Sequence, residues 1–186
     1  GITVYANPSA IFVPSPQYVC VGSTITVTDG TAGGTWSSSN TGIATVVAGT
    51  GVVTGVASGI PILTYMLGTG CYATTSTLTV NPSPNAITGS NTVCTGYTTS
   101  LTQTIAGGTW SSSNPALGSV STGGVVTGVA AGNINISYTL PAGCFVIFPM
   151  TVNATPSANT GTAVVCTGLT TTLANGTGGG TWTSSN

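Results

Sequence analysis

Along this chain, short runs of β-branched and aromatic residues alternate with small polar positions and are cut by Gly, Asn, Ser or Pro. Residues 23–28 set Ile25 and Val27 among Thr and Ser, residues 35–39 carry Trp36, residues 43–47 and 52–56 follow, and residues 62–67 are placed to pair with 73–80. A two-residue alternation bounded by turn formers predicts half-buried strands. No helical period of useful length is present, so the predicted class is all-β.

The pattern repeats. Gly-Thr-Trp-Ser-Ser-Ser-Asn at residues 34–40 returns at 108–114 and, with one Thr for Ser, at 180–186. Trp36, Trp110 and Trp182 are spaced 74 and 72 residues apart, Cys20, Cys94 and Cys166 keep step, as do Cys71 and Cys144, and residues 51–56 recur at 124–129. Self-similarity at this period predicts tandem modules. Asn-Pro-Ser at residues 7 and 81 and Asn-Ala-Thr at 153 mark the junctions. The expected division is 1–6 as the last strand of a preceding module, 7–80 and 81–152 as two complete modules, and 153–186 as the first part of a third. Residues 1–4 stand where 78–80 and 150–152 stand. No initiator Met or apolar signal core opens the chain, and the expectation is a window of a longer, processed polypeptide. The competing idea, that residues 1–4 are a strand donated to a neighbour's third module, replaces fewer strands than that module lacks.

About seven short strands per period, with turn signals every 8–12 residues, is the pattern of an immunoglobulin-like sandwich. The ordered set of a Gly-led strand (22–28), Thr-Trp-Ser-Ser-Ser-Asn (35–40), Ile-Ala-Thr-Val (43–46), Gly-Val-Val-Thr-Gly-Val (51–56) and a closing Thr-Leu-Thr-Val (77–80) resembles the bacterial immunoglobulin-like domain of group 2. That resemblance implies repeats of long, secreted or surface-attached bacterial proteins such as stalks, adhesins or appendages. The second module departs from it at residues 115–120, where Ile-Ala-Thr-Val is lost and a shorter or differently paired edge is expected.

Composition narrows the function. The chain has no Lys, Arg or His, one acidic residue and 28 Gly. Nucleic-acid binding is excluded, because neutralising phosphates takes Lys or Arg. The apolar runs 60–67 and 144–150 are interrupted by Pro61 and Pro149 and fall short of the roughly 20 residues of a membrane helix. No general base accompanies any Ser or Thr, so an enzyme is not expected, and neither is a cofactor or metal. Asp29, alone among carboxylates, aligns with Gln103 and Asn175 and reads as a turn residue before Gly30. An almost uncharged surface lacks the Lys gatekeepers that keep sheet edges apart. Further copies of the same repeat are therefore the expected partners.

Individual repeated residues have ordinary readings. Trp36, Trp110 and Trp182 read as core rather than sugar-stacking residues, the repeated glycines as turn formers, and the Ser-Ser-Ser-Asn runs as turn residues rather than a sugar- or ice-binding array. Asn135, Asn153 and Asn175 open formal N-glycosylation sequons. Tyr5, Tyr18, Tyr65, Tyr72 and Tyr97 would be glycan contacts if exposed; Phe145 in the place of Tyr72 argues for packing.

Phased cysteines without His or a CxxC spacing point to disulfides in an oxidising compartment. Bridges within modules would be Cys20 to Cys71 and Cys94 to Cys144. In an immunoglobulin-like order those pairs lie at opposite poles, about 17–20 Å apart, and a disulfide needs Cα atoms within about 7 Å. The preferred pattern joins modules, Cys20 to Cys144, leaving Cys71, Cys94 and Cys166 for partners outside this window; bridges within modules, free thiols and bridges between chains stay open. The expected function is an extracellular or cell-surface filament, stalk or appendage, stiffened at its junctions and without a Lys or Arg for trypsin-like proteases. The alternative is the spacer or grip of an adhesin for glycans or other cells.

Overall fold

The computed structural model describes residues 1–75 and 77–185, and every regular element among them is a strand. Ser76, inside the strand expected over 73–80, and Asn186, the last letter of the third tryptophan motif, lie outside the described residues. The chain forms two compact units. One holds Gly1–Ile87, Gln103–Thr109 and Ser137–Ile147; the other holds Thr88–Thr102, Trp110–Ile136 and the chain from 148 onward.

In the first unit the strands are β1 (Tyr18–Cys20), β2 (Thr24–Thr26), β3 (Gly34–Ser38), β4 (Ala44–Val46), β5 (Val52–Gly55), β6 (Leu63–Leu67), β7 (Tyr72–Thr74) and β8 (Thr79–Asn81). Antiparallel sheets β2-β5-β4 and β3-β6-β7 are accompanied by β8, which lies parallel to β1 with Val80 opposite Val19. Alternation sends Val53, Leu63, Tyr65, Leu78 and Val80 inward onto Val19, Val27, Trp36 and Ala44, and these residues form one buried core. This is the all-β immunoglobulin-like sandwich.

The second repeat reuses the plan with β9 (Thr92–Cys94), β10 (Thr98–Ser100), β11 (Thr109–Ser112), β12 (Gly118–Val120), β13 (Val125–Gly128), β14 (Gly132–Thr139) and β15 (Phe145–Asn153), in sheets β10-β13-β12 and β11-β14-β15-β9. Its edge strand is not shortened by the loss of Ile-Ala-Thr-Val. Gly118, Ser119 and Val120 pair with Gly128, Thr127 and Val126 just as Ala44, Thr45 and Val46 pair with Gly55, Thr54 and Val53. The change is one of packing: a Cβ on Gly118 would stand 2.6 Å from Ile134 Cδ1. Ile134 takes the place of Pro61, so the larger side chain on one strand is matched by the missing methyl on the other. Among the described residues beyond 153, only β16 (Thr160–Gly161) and β17 (Leu173–Ala174) form, as an antiparallel pair.

The Gly-Thr-Trp motif is explained by a tyrosine three strands later in the chain. Tyr65 Oη accepts from Gly34 N at 2.9 Å and donates to the Thr31 carbonyl at 2.7 Å. Its ring centroid lies 4.7 Å from that of Trp36. Tyr138 does the same with Gly108 N and the Ile105 carbonyl, both at 2.8 Å. A Cβ on Gly34 would sit 2.5 Å from the Tyr65 ring and one on Gly108 2.5 Å from the Tyr138 ring. These two glycines therefore permit a close approach and are not turn formers. Gly51 and Gly124, at φ +70° and +81°, do make turns.

Tyr65→Phe leaves the Gly34 N–H and the Thr31 carbonyl without their hydroxyl, a loss of about 1–3 kcal/mol. Gly34→Ala drives a methyl into the ring at a similar cost of about 1–3 kcal/mol. Because both disturb one contact, urea unfolding of the double variant is expected to show less than the sum of the two losses. Full additivity would refute the lock.

Candidate functional site

The chemistry-bearing side chains converge where β1 ends. Cys20, the last residue of β1, is disulfide-bonded to Cys144, with Cα atoms 5.8 Å apart. Cys144 closes the tight turn between β14 and β15: Leu140 N donates to its carbonyl and Gly143 N donates to the Leu140 carbonyl, each at 2.9 Å. Two further contacts hold the turn. Asn81, opposite Cys20 in the β1–β8 register, donates Nδ2 to the Ala142 carbonyl at 3.5 Å. The Tyr18 hydroxyl lies against Gly143, at φ +87°, where any Cβ would collide with it. Cys144 itself is buried.

Cys71 occupies the corresponding turn of the first repeat, where Leu67 N donates to the Cys71 carbonyl and Gly70 N to the Leu67 carbonyl. Its thiol faces the Tyr5 carbonyl at 3.8 Å, as Cys144 Sγ faces the Asn81 carbonyl at 4.0 Å. Cys94 ends β9 opposite Asn153, and Cys166 is exposed. Cys71, Cys94 and Cys166 are free thiols.

Among the tryptophans only Trp36 lies fully in a core, at 7% exposure, while Trp110 is half-buried. Trp182, expected in the core, is 55% exposed. The residues that cover Trp36, above all Tyr65 on β6, have no counterpart among the described residues after 153. The Ser-Asn runs are structural. Ser39 and Ser113 hydroxyls accept from Ile62 and Asn135 backbone N–H groups, and Asn40 and Asn114 accept from Gly42 and Ala116. Of the sequon residues, Asn135 and Asn153 are exposed on strands. Asn175 is tied into a turn, its Oδ1 accepting from Thr177 N and its Nδ2 donating to Asn159 Oδ1, both at 2.8 Å. Tyr65 is buried and Tyr18 half-buried, whereas Tyr5, Tyr72 and Tyr97 are exposed. Phe145 is exposed as well, so the aromatic after each turn cysteine faces solvent and is not a packing residue.

Asp29 builds the same turn as Asn175. Its Oδ1 accepts from the Ser9 hydroxyl and from Thr31 N, both at 2.8 Å, and the Ser9 hydroxyl accepts from Gly30 N. Ser157, Gly176 and Thr177 surround Asn175 in the same way. Desolvation pushes the Asp29 carboxyl up, but hydrogen bonds from Thr31 N and from Ser9 outweigh it and hold the group below the ordinary aspartate range.

Loss of the bridge in Cys20→Ser opens a closure spanning 124 residues, worth at most about 5 kcal/mol by chain entropy. Unfolding of Cys20→Ser and of the reduced native chain is expected at similarly lowered urea concentrations, whereas Cys94→Ser leaves the midpoint unchanged. A folded-state carboxyl held below its unfolded value stabilises at neutral pH, and that contribution disappears as pH falls below about 4 through the lowered value. Asp29→Asn keeps the turn, as Asn175 does, and is expected to flatten the acid limb of a thermal-stability profile. An unchanged limb would contradict this account.

No curated protein sequence matches the chain. Among solved structures, the C-terminal 282-residue fragment of intimin, in complex with the intimin-binding domain of the translocated intimin receptor, is similar at 15% identity and TM-score 0.51; the match covers 81% of this chain and 67% of that one. Domains 1–6 of the surface layer protein SbsC match at 18% identity and TM-score 0.32, over 85% of this chain and 30% of theirs. The intimin likeness is one of fold. Residues 73–145 match the family model of the bacterial Ig-like domain (group 2), one full period from β7 to Phe145, the residue in the place of Tyr72. Over these residues the chain is similar to the bacterial Ig-like domain of group 2.

Proposed function

We propose that this chain is a structural segment of an extracellular bacterial filament, stalk or appendage, made of tandem Ig-like repeats and stiffened by disulfides between them. The observation that carries the reading is the Cys20–Cys144 bond, which ties the first strand of one repeat to a turn of the next. A jointed string bends at its linkers; a covalent bond beside the linker, with Tyr18 and Asn81 holding the same turn, removes much of that freedom. Disulfides of this kind persist in oxidising surroundings, in keeping with a place outside the cell or on its surface. With no Lys or Arg the chain also offers trypsin-like proteases nothing to cut, and with a net charge of −1 it has almost no repulsion between copies. Its partners in this reading are further copies of the repeat, and it does no catalysis.

The exposed aromatics Tyr72 and Phe145, one beside each turn cysteine, favour a second reading as the spacer or grip of an adhesin, with sugars stacking on those rings. Electron imaging of the native material before and after reductant separates the two. Straight rods that become flexible or fall apart on reduction are expected. Isolated flexible strings indifferent to reductant would overturn the stapled filament and leave the adhesin spacer.

A further inference from the structure

Three asparagines of the second repeat share one cleft. Asn91 precedes β9, Asn133 and Asn135 lie on β14, and Ser113, Pro149 and Thr151 complete the wall of an open space of about 290 Å³. All six residues belong to that one repeat, and all are exposed. Asn is disfavoured in strands, yet β14 carries two at alternate positions. Strand pairing does not call for them. The Ser113 hydroxyl accepts from Asn135 N as the Ser39 hydroxyl accepts from Ile62 N, and the Asn91 carbonyl accepts from Thr151 N as the Gln17 carbonyl accepts from Thr79 N. The first repeat thus makes the same backbone bonds with Ile60 and Ile62 in the places of Asn133 and Asn135. Of the three carboxamides only that of Asn133 is engaged, its Oδ1 accepting from the Thr151 hydroxyl at 3.0 Å. Its Nδ2 and the whole carboxamides of Asn91 and Asn135 have no protein partner among the described residues. A local rule broken without structural return is expected at functional positions.

We propose that this cleft binds one residue of a neutral sugar. A carboxamide presents donors and an acceptor side by side, as two adjacent sugar hydroxyls do. None of the lining residues is charged, so a charged ligand would lose water there without compensation, whereas an uncharged polyol exchanges its bonds to water for bonds to Asn, Ser and Thr. Pro149 adds an apolar surface on which the C–H face of a pyranose ring can lie, the usual complement to a few placed polar groups. Asn133 and Asn135 are two residues apart on one face of β14, roughly 6.6 Å along the strand, so one ring reaches both. The volume stands at the low end of small-molecule sites, which run from roughly 300 Å³ upwards, and suits a single ring. At ordinary ligand efficiency such a ring binds with a Kd on the order of 1 mM. The inference rests on the adhesin reading for its class of ligand and is independent of the stiffness of the array.

The test is titration of the isotope-labelled full chain, with the Cys20–Cys144 bond intact, against glucose, galactose, mannose and N-acetylglucosamine, up to roughly a hundred times that Kd. Nuclear magnetic resonance of the side-chain amides is expected to show saturable shifts of Asn91, Asn133 and Asn135 with at least one of these sugars, and a response at least tenfold weaker with glucuronate. Asn133→Ile/Asn135→Ile, which installs the residues of the first repeat, and Asn91→Ala are each expected to weaken binding at least tenfold while the urea midpoint holds. Equal binding by these variants, or an equal response to glucuronate, would overturn the inference. So would a glycan attached to Asn135 in the native material, found by peptide mass, since it would fill the cleft covalently. Saturable shifts confined to Tyr72 and Phe145 would overturn this site and leave the adhesin reading standing. No saturable shift anywhere would overturn the site and count against the adhesin reading with it.

Discussion

Each repeat is closed by its last strand, laid parallel against its first, and the rest of the architecture depends on that pairing. β8 on β1 buries Leu78 and Val80 under the core and sets Asn81 opposite Cys20. The closure is reinforced just past the strand, where Val21 N donates to the Asn81 carbonyl and the Ser83 hydroxyl to the Val21 carbonyl. Thr95 N, Asn153 and Thr155 repeat both bonds one period later. Because the chain leaves a closed repeat beside the cysteine of its first strand, whatever follows is delivered to that cysteine. At residues 164–166, which have no such pairing among the described residues, no strand forms, and Val165 is exposed where Val19 is buried.

Cohesion inside the repeats is achieved without charge. The roles that ion pairs and charged caps play elsewhere fall to hydroxyls and carboxamides bonded to backbone groups: Tyr65 and Tyr138 across the sandwich, Ser39 and Ser113 at the tryptophan strand, and Asp29 or Asn175 at the turn before it. Such bonds are short-ranged and indifferent to salt, and only Asp29 among them titrates in acid. The interchange of Asp29 with Asn175 shows that the turn needs an acceptor oxygen, not a charge. The same economy leaves the outer surface with little to oppose contact between copies.

The class of the fold and the phase of the repeat were legible before any coordinate, because both rest on local rules: alternation of side chains along strands and turn residues between them. Two local cues disagree at the first junction. Asn-Pro-Ser places Asn7 with Asn81, whereas the likeness of residues 1–4 to 78–80 places Tyr5 with Asn81, and the carbonyl of Tyr5 against Cys71 agrees with the second. The repeated Gly before Thr-Trp looked like a turn signal, since its reason, a tyrosine ring thirty-one residues on at Tyr65, is invisible to a local reading. The missing Ile-Ala-Thr-Val suggested a shorter or differently paired edge, but pairing with β13 depends on backbone groups that every residue there supplies.

By itself, then, the sequence determines an all-β, almost uncharged, periodic chain with cysteines in two phased sets, since composition and period are properties of neighbours along the chain. Only the tertiary structure decides which cysteines meet, which tryptophan is covered and which aromatics face solvent. Those outcomes depend on which strand is laid beside which, at separations where one residue carries no information about another until the sheets have closed.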